Sequence, residues 1–245
     1  IIDSIVKNKP RIVLLNKIDL ANKDYNRRWE EYFKSKNIPT VLIDSLSGKG
    51  IDNLLRTASN ETKHIMDSYK KRGVLNRPVR AMILGIPNVG KSTLINSLSG
   101  RKGTKTGNKP GITKVNQWIK IKGELELLDT PGILWPKFED PKVGLNLAFI
   151  GSIKDEILDR ETLALRLIEK LSKISPELLE KRYDILIDNK EPLDIMIEIG
   201  QKRGCIIKGG EIDYTKVANI ILDEFRKGVI GNITLEAPVT SDINE

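Results

Sequence analysis

Short apolar runs alternate with charged segments of helical period along the first half of the chain. Arg11-Ile-Val-Leu-Leu-Asn16 is an apolar run closed by polar residues, the pattern of a buried strand. Trp29, Tyr32 and Phe33 then recur at helical spacing, and Thr40-Val-Leu-Ile-Asp44 reads as a second strand ended by the Gly48-Lys-Gly50 turn. Residues 51–72 predict a helix with Leu54, Leu55, Ile65, Met66 and Tyr69 available for its apolar face. Val79 to Leu84 predicts a third strand, followed by a glycine turn and a helix from Ser92 to Leu98. Residues 116–129 predict two strands joined near Gly123. Strands alternating with helices argue for an α/β fold with a mostly parallel sheet and one antiparallel hairpin.

The texture changes after about residue 139. Leu163, Leu167, Ile168 and Leu171 fall at helical spacing, as do Ile195 with Ile199, and Val217, Ile220, Ile221 with Phe225. Pro176, Pro192 and Gly204 punctuate these segments. The expectation is an α/β domain over 1–139 and a smaller all-helical domain over 140–245, joined by a helix around 141–157.

The 245 residues carry 39% hydrophobic and 30% charged side chains, a globular balance. No apolar run approaches the ~20 residues that cross a bilayer, so no membrane partner is expected. The single Cys205 excludes an internal disulfide and a multi-cysteine zinc site, and the single His64 argues against a His-rich metal site or a Ser-His-Asp triad built on this sequence. Cys205 reads as a small buried group in a reducing compartment, the cytoplasm. His64 reads as a helix-surface residue. The chain opens on Ile1 rather than Met, which predicts further residues upstream.

Charge is uneven. Residues 1–150 hold 27 basic and 14 acidic side chains, whereas 151–245 hold 14 and 19. Between Asp67 and Glu124 there are thirteen basic residues and no acidic one. A nucleotide polyphosphate accounts for one or two of these cations, so a second polyanion, nucleic acid, is the expected partner; a solvated lysine-rich face is the alternative. With 3 Trp, 5 Tyr and 4 Phe, backbone and shape recognition is expected over extensive base stacking.

Gly85-Ile-Pro-Asn-Val-Gly90-Lys91-Ser92 matches G-x-x-x-x-G-K-[ST] between a predicted strand and a predicted helix. Its glycines let backbone N–H groups curl towards phosphate, and the helix adds its positive end. Asn88, Val89, Gly90, Lys91, Ser92 and Thr93 are the expected phosphate-side contacts, with Lys91 on the β- and γ-phosphates and the Ser92 hydroxyl on Mg²⁺. Asp129-Thr-Pro-Gly132 follows an apolar run, which brings Asp129 to a strand end to hold Mg²⁺ through water and lets the Gly132 N–H sense the γ-phosphate. Thr113, among Gly103, Gly107, Pro110 and Gly111, is the candidate switch threonine and a third Mg²⁺ contact; an ordinary surface loop is the alternative. Asn16-Lys17-Ile-Asp19 closes the first strand. Asp19 can accept from the N1–H and N2–H edge of guanine, Asn16 braces the site and contacts the purine, and Lys17 lies along the ring. Ser45-Leu46-Ser47 fits a backbone N–H reaching guanine O6. GTP and GDP are therefore the expected nucleotides.

In most small GTPases the phosphate motif precedes the base motif. Here the base motif comes first, which predicts a circularly permuted P-loop GTPase domain. The segment after Gly132 leads directly into residues 140–245, so nucleotide state is expected to reposition the helical domain.

These motifs, with Lys109-Pro-Gly-Ile-Thr-Lys114, Gln117-Trp118, the block from Leu127 to Asp140, Lys202-Arg-Gly-Cys205, Gly209-Gly210 and Phe225-Arg226, resemble the ribosome biogenesis GTPase A (RbgA/YlqF) family of circularly permuted bacterial GTPases. The resemblance implies GTP hydrolysis in late assembly of the large ribosomal subunit, with rRNA contacts and a helical RNA-binding C-terminal domain. Ile133 stands where many GTPases place a water-orienting Gln, a replacement that the family shares, so hydrolysis is expected to be slow until the ribosomal partner completes the site. The catalytic set expected is Lys91, Thr113, Gly132 and Asn88. Asn88 resembles the phosphate-loop asparagine of potassium-activated GTPases, implying K⁺, with a loop-bracing hydrogen bond as the alternative. Trp135 anchors either a partner or the domain junction. A monomer is expected. A nucleotide-regulated RNA scaffold with little turnover, or a GTPase of tRNA modification, are the rival readings.

Overall fold

A computed structural model describes residues 9–74, 77–100, 117–121, 125–130, 140–153 and 159–239, with Gln117 and Asp129 described by backbone alone. The chain divides into two compact units, Ile1–Leu134 with Glu236–Glu245, and Trp135–Leu235.

In the first unit β1 (Val13–Leu15) pairs in parallel with β2 (Thr40–Leu42), Leu14 opposite Val41. Between them runs α1 (Lys23–Ser35), whose start is set by Asn22: its Oδ1 accepts from the Asp24 N–H at 2.9 Å and the Tyr25 N–H at 3.4 Å. Asp24 in the first turn and Lys34 in the last both suit the helix dipole. α2 (Ile51–Lys71) begins at Gly50, where φ is +88° and a Cβ would lie 2.3 Å from the Leu42 carbonyl oxygen, so only glycine fits.

β3 (Val79–Ile83) leads into α3 (Lys91–Ser99), and β4 (Gln117–Ile121) turns back as β5 (Leu125–Asp129). The order is β3-β5-β4, with β3 and β5 parallel and β4 and β5 antiparallel, which gives the expected hairpin. The single sheet expected from the pattern is instead two ladders among the described residues. Periodicity identifies strands but not which edges meet. The two ladders nevertheless share one apolar core, in which Val41, Ile43 and Leu54 join Leu94, Ile95, Leu98, Ile121 and Leu127.

The second unit is helical in its described residues: α4 (Pro141–Phe149), α5 (Arg160–Ile174), α6 (Pro176–Tyr183), α7 (Pro192–Lys202) and α8 (Tyr214–Arg226). The predicted stripes form its core: Leu163, Leu167, Ile168 and Leu171 meet Ile195, Ile199, Val217 and Ile221, all buried, while Ile220 and Phe225 pack at its edge. Pro176 and Pro192 open α6 and α7, where a missing N–H costs nothing. The helix expected over 141–157 ends at Phe149: Gly151 turns the chain at φ +74°, and the Arg226 guanidinium donates to the Phe149 and Ala148 carbonyl oxygens, both at 2.9 Å. Cys205 is free and buried here. No helix among the described residues is long and apolar enough to cross a membrane.

Candidate nucleotide site

The phosphate loop leaves the end of β3 and returns as the first turn of α3. Asn88 at φ +62° and Gly90 at φ +99° bend it back on itself. Gly90, the residue that opens α3, supplies no side-chain cap to the helix. The Lys91 ammonium donates to the carbonyl oxygens of Gly85 at 2.9 Å and Ile86 at 2.8 Å. It therefore spans the mouth of the loop, where phosphate oxygens can take over the role of these carbonyls. Ser92 and Thr93 follow in the first turn, both half-buried.

β5 ends beside this loop. Its register sets the Asp129 backbone opposite Ile83, so the aspartate and the loop emerge from the same end of the ladder. Thr130, 6% exposed, fixes that end: its hydroxyl donates to the Ile83 carbonyl oxygen at 2.5 Å. A hard divalent cation such as Mg²⁺ prefers oxygen ligands and keeps phosphate and water among them. The Ser92 hydroxyl, at the start of α3, and Asp129, at the end of β5, fit that donor chemistry. Thr113, Gly132, Ile133 and Trp135 lie outside the described residues.

Asn16, at the end of β1, joins the base motif to the phosphate loop. Its Nδ2 donates to the Val89 carbonyl oxygen at 2.7 Å, and its Oδ1 accepts from the Ser45 N–H at 3.1 Å and the Ser45 hydroxyl at 2.9 Å. One amide side chain thus holds three motifs that are far apart in sequence. The approach is tight: a Cβ on Gly90 would sit 2.3 Å from Asn16 Nδ2. The chain then turns at Lys17 with φ +61°, closed by the Leu20 N–H donating to the Lys17 carbonyl at 2.9 Å. Although Lys17 is exposed as a residue, desolvation of its ammonium lowers its pKa below the usual lysine range, an effect that Asp19 opposes. Asp19 is exposed at the rim.

The serine motif is organised from within. Ser45 is buried and directs both its donors to Asn16, and the Leu46 N–H donates to Asp44 Oδ1 at 2.9 Å. The Ser47 N–H donates to the same oxygen at 3.3 Å. Hydrogen bonding from Ser47, the largest contribution, holds the Asp44 carboxyl below the usual carboxylate range. Among the described residues, Asp44 and Thr130 brace the candidate site without belonging to the predicted set. Asp44 carried a signal, since Asp followed by serines at a strand end favours a turn closed by its own carboxylate. Thr130, the first of the two variable positions of D-x-x-G, carried none. His64 is exposed on α2.

A family described as 50S ribosome-binding GTPase matches residues 80–198. The chain is 46% identical to ribosome biogenesis GTPase A of Bacillus licheniformis, over 97% of this chain and 84% of that protein. It is 45% identical to the protein of that name from Priestia megaterium, over 97% of this chain and 83% of that one. The crystal structure of GNP-bound YlqF from T. maritima superposes with a TM-score of 0.65 at 25% identity, covering 96% of this chain and 84% of that one. With its phosphate loop and base motif clasped by Asn16, the chain belongs to the ribosome biogenesis GTPase A family and is a GTP hydrolase.

Proposed function

We propose that this protein is a circularly permuted GTPase acting in late assembly of the large (50S) ribosomal subunit, in the cytoplasm and as a monomer, with hydrolysis slow until the immature subunit completes the site. The carrying observation is the Asn16–Val89 hydrogen bond, which brings a base motif that comes first in sequence onto a phosphate loop that comes later. Asp19 reads guanine, Lys17 lies along the purine, and the Ser45–Leu46 turn shapes the pocket edge at O6. Lys91 leaves the loop carbonyls for the β- and γ-phosphates, while Asn88, Val89, Gly90, Ser92 and Thr93 surround them. Ser92, Thr113 and Asp129 would hold Mg²⁺, which when bound neutralises charge on the β- and γ-phosphate oxygens. Gly132 senses the γ-phosphate. Asn88 is the residue that would recruit K⁺.

The domain reading is a GTPase domain over 1–139 and a helical ribosome-binding domain over 140–245. Charge supports giving most phosphate contacts to residues 68–123. In the helical unit many cations are already spent internally: Arg166 and Lys173 on Glu169, Lys190 on Glu198, Lys202 on Asp184, and Arg182 on Glu224.

The test is GTP turnover with and without purified large subunits, in K⁺ and then in Na⁺. Strong stimulation by subunits supports the reading, on the scale of the ~10³-fold or more that groups supplied in trans give other GTPases. Equal turnover with and without subunits overturns it. Loss of stimulation in Na⁺ supports a K⁺ requirement, and its disappearance in Asn88→Ala supports Asn88 as the residue that serves it; equal rates in the two salts remove K⁺ from the reading.

A further inference from the structure

The β3-β5-β4 ladder has two unlike faces. Ala81, Ile83, Ile119, Leu125 and Leu127 turn to the core with α3. On the opposite face the register aligns Arg80, Glu126 and Lys120 in one row and Met82, Leu128 and Trp118 in the next. The second row is apolar yet open, with Met82 53% and Trp118 51% exposed. A Met and a Trp left open on either side of Leu128 on one sheet face mark an interaction surface.

Charge identifies the partner. Glu126 is the only acidic residue in the two rows, and it is already matched by Arg80, whose Nε donates to it at 2.9 Å. Lys120 is exposed beside it. The Arg80 guanidinium also lies 5.2 Å from the centre of the Trp118 ring, so a flat cationic group already lies against that ring. Just before β3, Arg77 lies 4.3 Å over the Tyr69 ring, next to exposed Lys70, Lys71 and Arg72 at the end of α2. An aromatic ring on an exposed sheet with cations around it is the chemistry that receives an unpaired base and its flanking phosphates. Duplex RNA would meet the cations and leave the ring unused.

We propose that this sheet face is a platform for single-stranded RNA. A base stacks on Trp118 with Met82 and Leu128 at its edge, and Lys120 and Arg77 take the adjacent phosphates. The inference rests on the RNA-contacting function above and names the surface and the strandedness it selects. It adds one stacking position to a protein otherwise poor in aromatics.

The experiment is fluorescence anisotropy of the whole chain with a labelled oligo(rA) of about twelve nucleotides, a typical site size for single-strand binding, and with an RNA duplex of equal length. Trp118→Ala should weaken oligo(rA) binding about tenfold, with Trp118→Phe retaining most of it. Lys120→Gln should lower the slope of log affinity against log salt by about 0.7. GDP affinity reports that each variant is folded, and Met82→Asp, which places a negative charge on the platform, provides the same test if Trp118→Ala fails to fold. Unchanged oligo(rA) affinity in folded Trp118→Ala or Met82→Asp overturns the platform, as does an equal loss for duplex. Subunit-stimulated turnover separates the two readings: a variant with unaltered oligo(rA) binding beside a stimulated wild type removes only the platform. An unstimulated wild type that still binds oligo(rA) through Trp118 removes only the ribosomal role.

Discussion

The Nδ2 of Asn16 donates a hydrogen bond to the carbonyl oxygen of Val89 at 2.7 Å, across 73 positions of the chain. The same side chain accepts twice from Ser45, so the base motif, the serine motif and the phosphate loop are held by one amide. At ~1 kcal/mol for each of these bonds, Asn16→Ala removes about 3 kcal/mol of mutual support, enough for a hundredfold fall in GDP affinity. Asn16→Asp keeps an acceptor for Ser45 but sets a carboxylate against the Val89 carbonyl. It should lose affinity at least as severely. Calorimetric titration with GDP measures both, and undiminished binding by either variant would show that the clasp is incidental.

Asp19 sits exposed at the rim, the only carboxylate in the N-K-x-D motif, so its chemistry can be exchanged without disturbing the core. Asp19→Asn turns one acceptor into a donor, which suits the O2 of xanthine and opposes the N2–H of guanine. Charge-assisted bonds of ~1.5–3 kcal/mol each predict a GDP affinity at least tenfold lower and a gain for xanthosine diphosphate. Competition between the two nucleotides gives the ratio directly; an unaltered preference removes Asp19 from the base site.

The legible parts were those with a strong local period or a fixed motif. The stripes around Leu167 and Ile221, the proline breaks at Pro176 and Pro192, and the strand–loop–helix context of Lys91 all follow from short-range rules. Strand pairing was legible only in part, because β1 and β2 are three residues each and three residues carry little register information. Thr130 was invisible because its value comes from the Ile83 carbonyl, 47 positions away, which only the fold brings near. The bracing role given to Asn16 was readable from its motif, but its partner Val89 was not.

Gly90 and Gly73 separate conformational strain from steric exclusion. Both adopt left-handed backbone, φ +99° and +77°, yet a Cβ on Gly73 meets nothing within 4 Å while one on Gly90 would lie 2.3 Å from Asn16 Nδ2. Gly73→Ala should cost only the left-handed penalty of ~1–2 kcal/mol and leave GDP binding intact. Gly90→Ala should cost more and also abolish GDP binding, because the loop and Asn16 cannot both keep their places. Thermal unfolding paired with GDP titration distinguishes them. Matching behaviour of the two variants would mean that strain alone governs the loop.

Glu224 gives the helical unit a pH dependence of predictable sign. It accepts from Arg182 at 2.5 Å and faces Arg203 at 3.6 Å, with its own side chain 17% exposed. Burial would raise its carboxyl, but the hydrogen bond from Arg182 and the charges of Arg203 and Arg182 outweigh burial and hold it below the ordinary value of 4.5. A carboxyl whose pKa is lower in the folded state makes the unfolded state bind more protons, so the stability it contributes is full above 4.5 and fades as pH falls through the folded value. Glu224→Gln should therefore destabilise the unit at neutral pH by ~1–3 kcal/mol, since Arg182 and Arg203 lose their counter-charge. The gap between wild type and variant should close on acidification below 4.5, where the wild-type carboxyl also becomes neutral. Urea unfolding at neutral pH and at successively lower values reads this directly. A gap that stays constant through the acid range would assign the effect to packing around Tyr183 rather than to the charge.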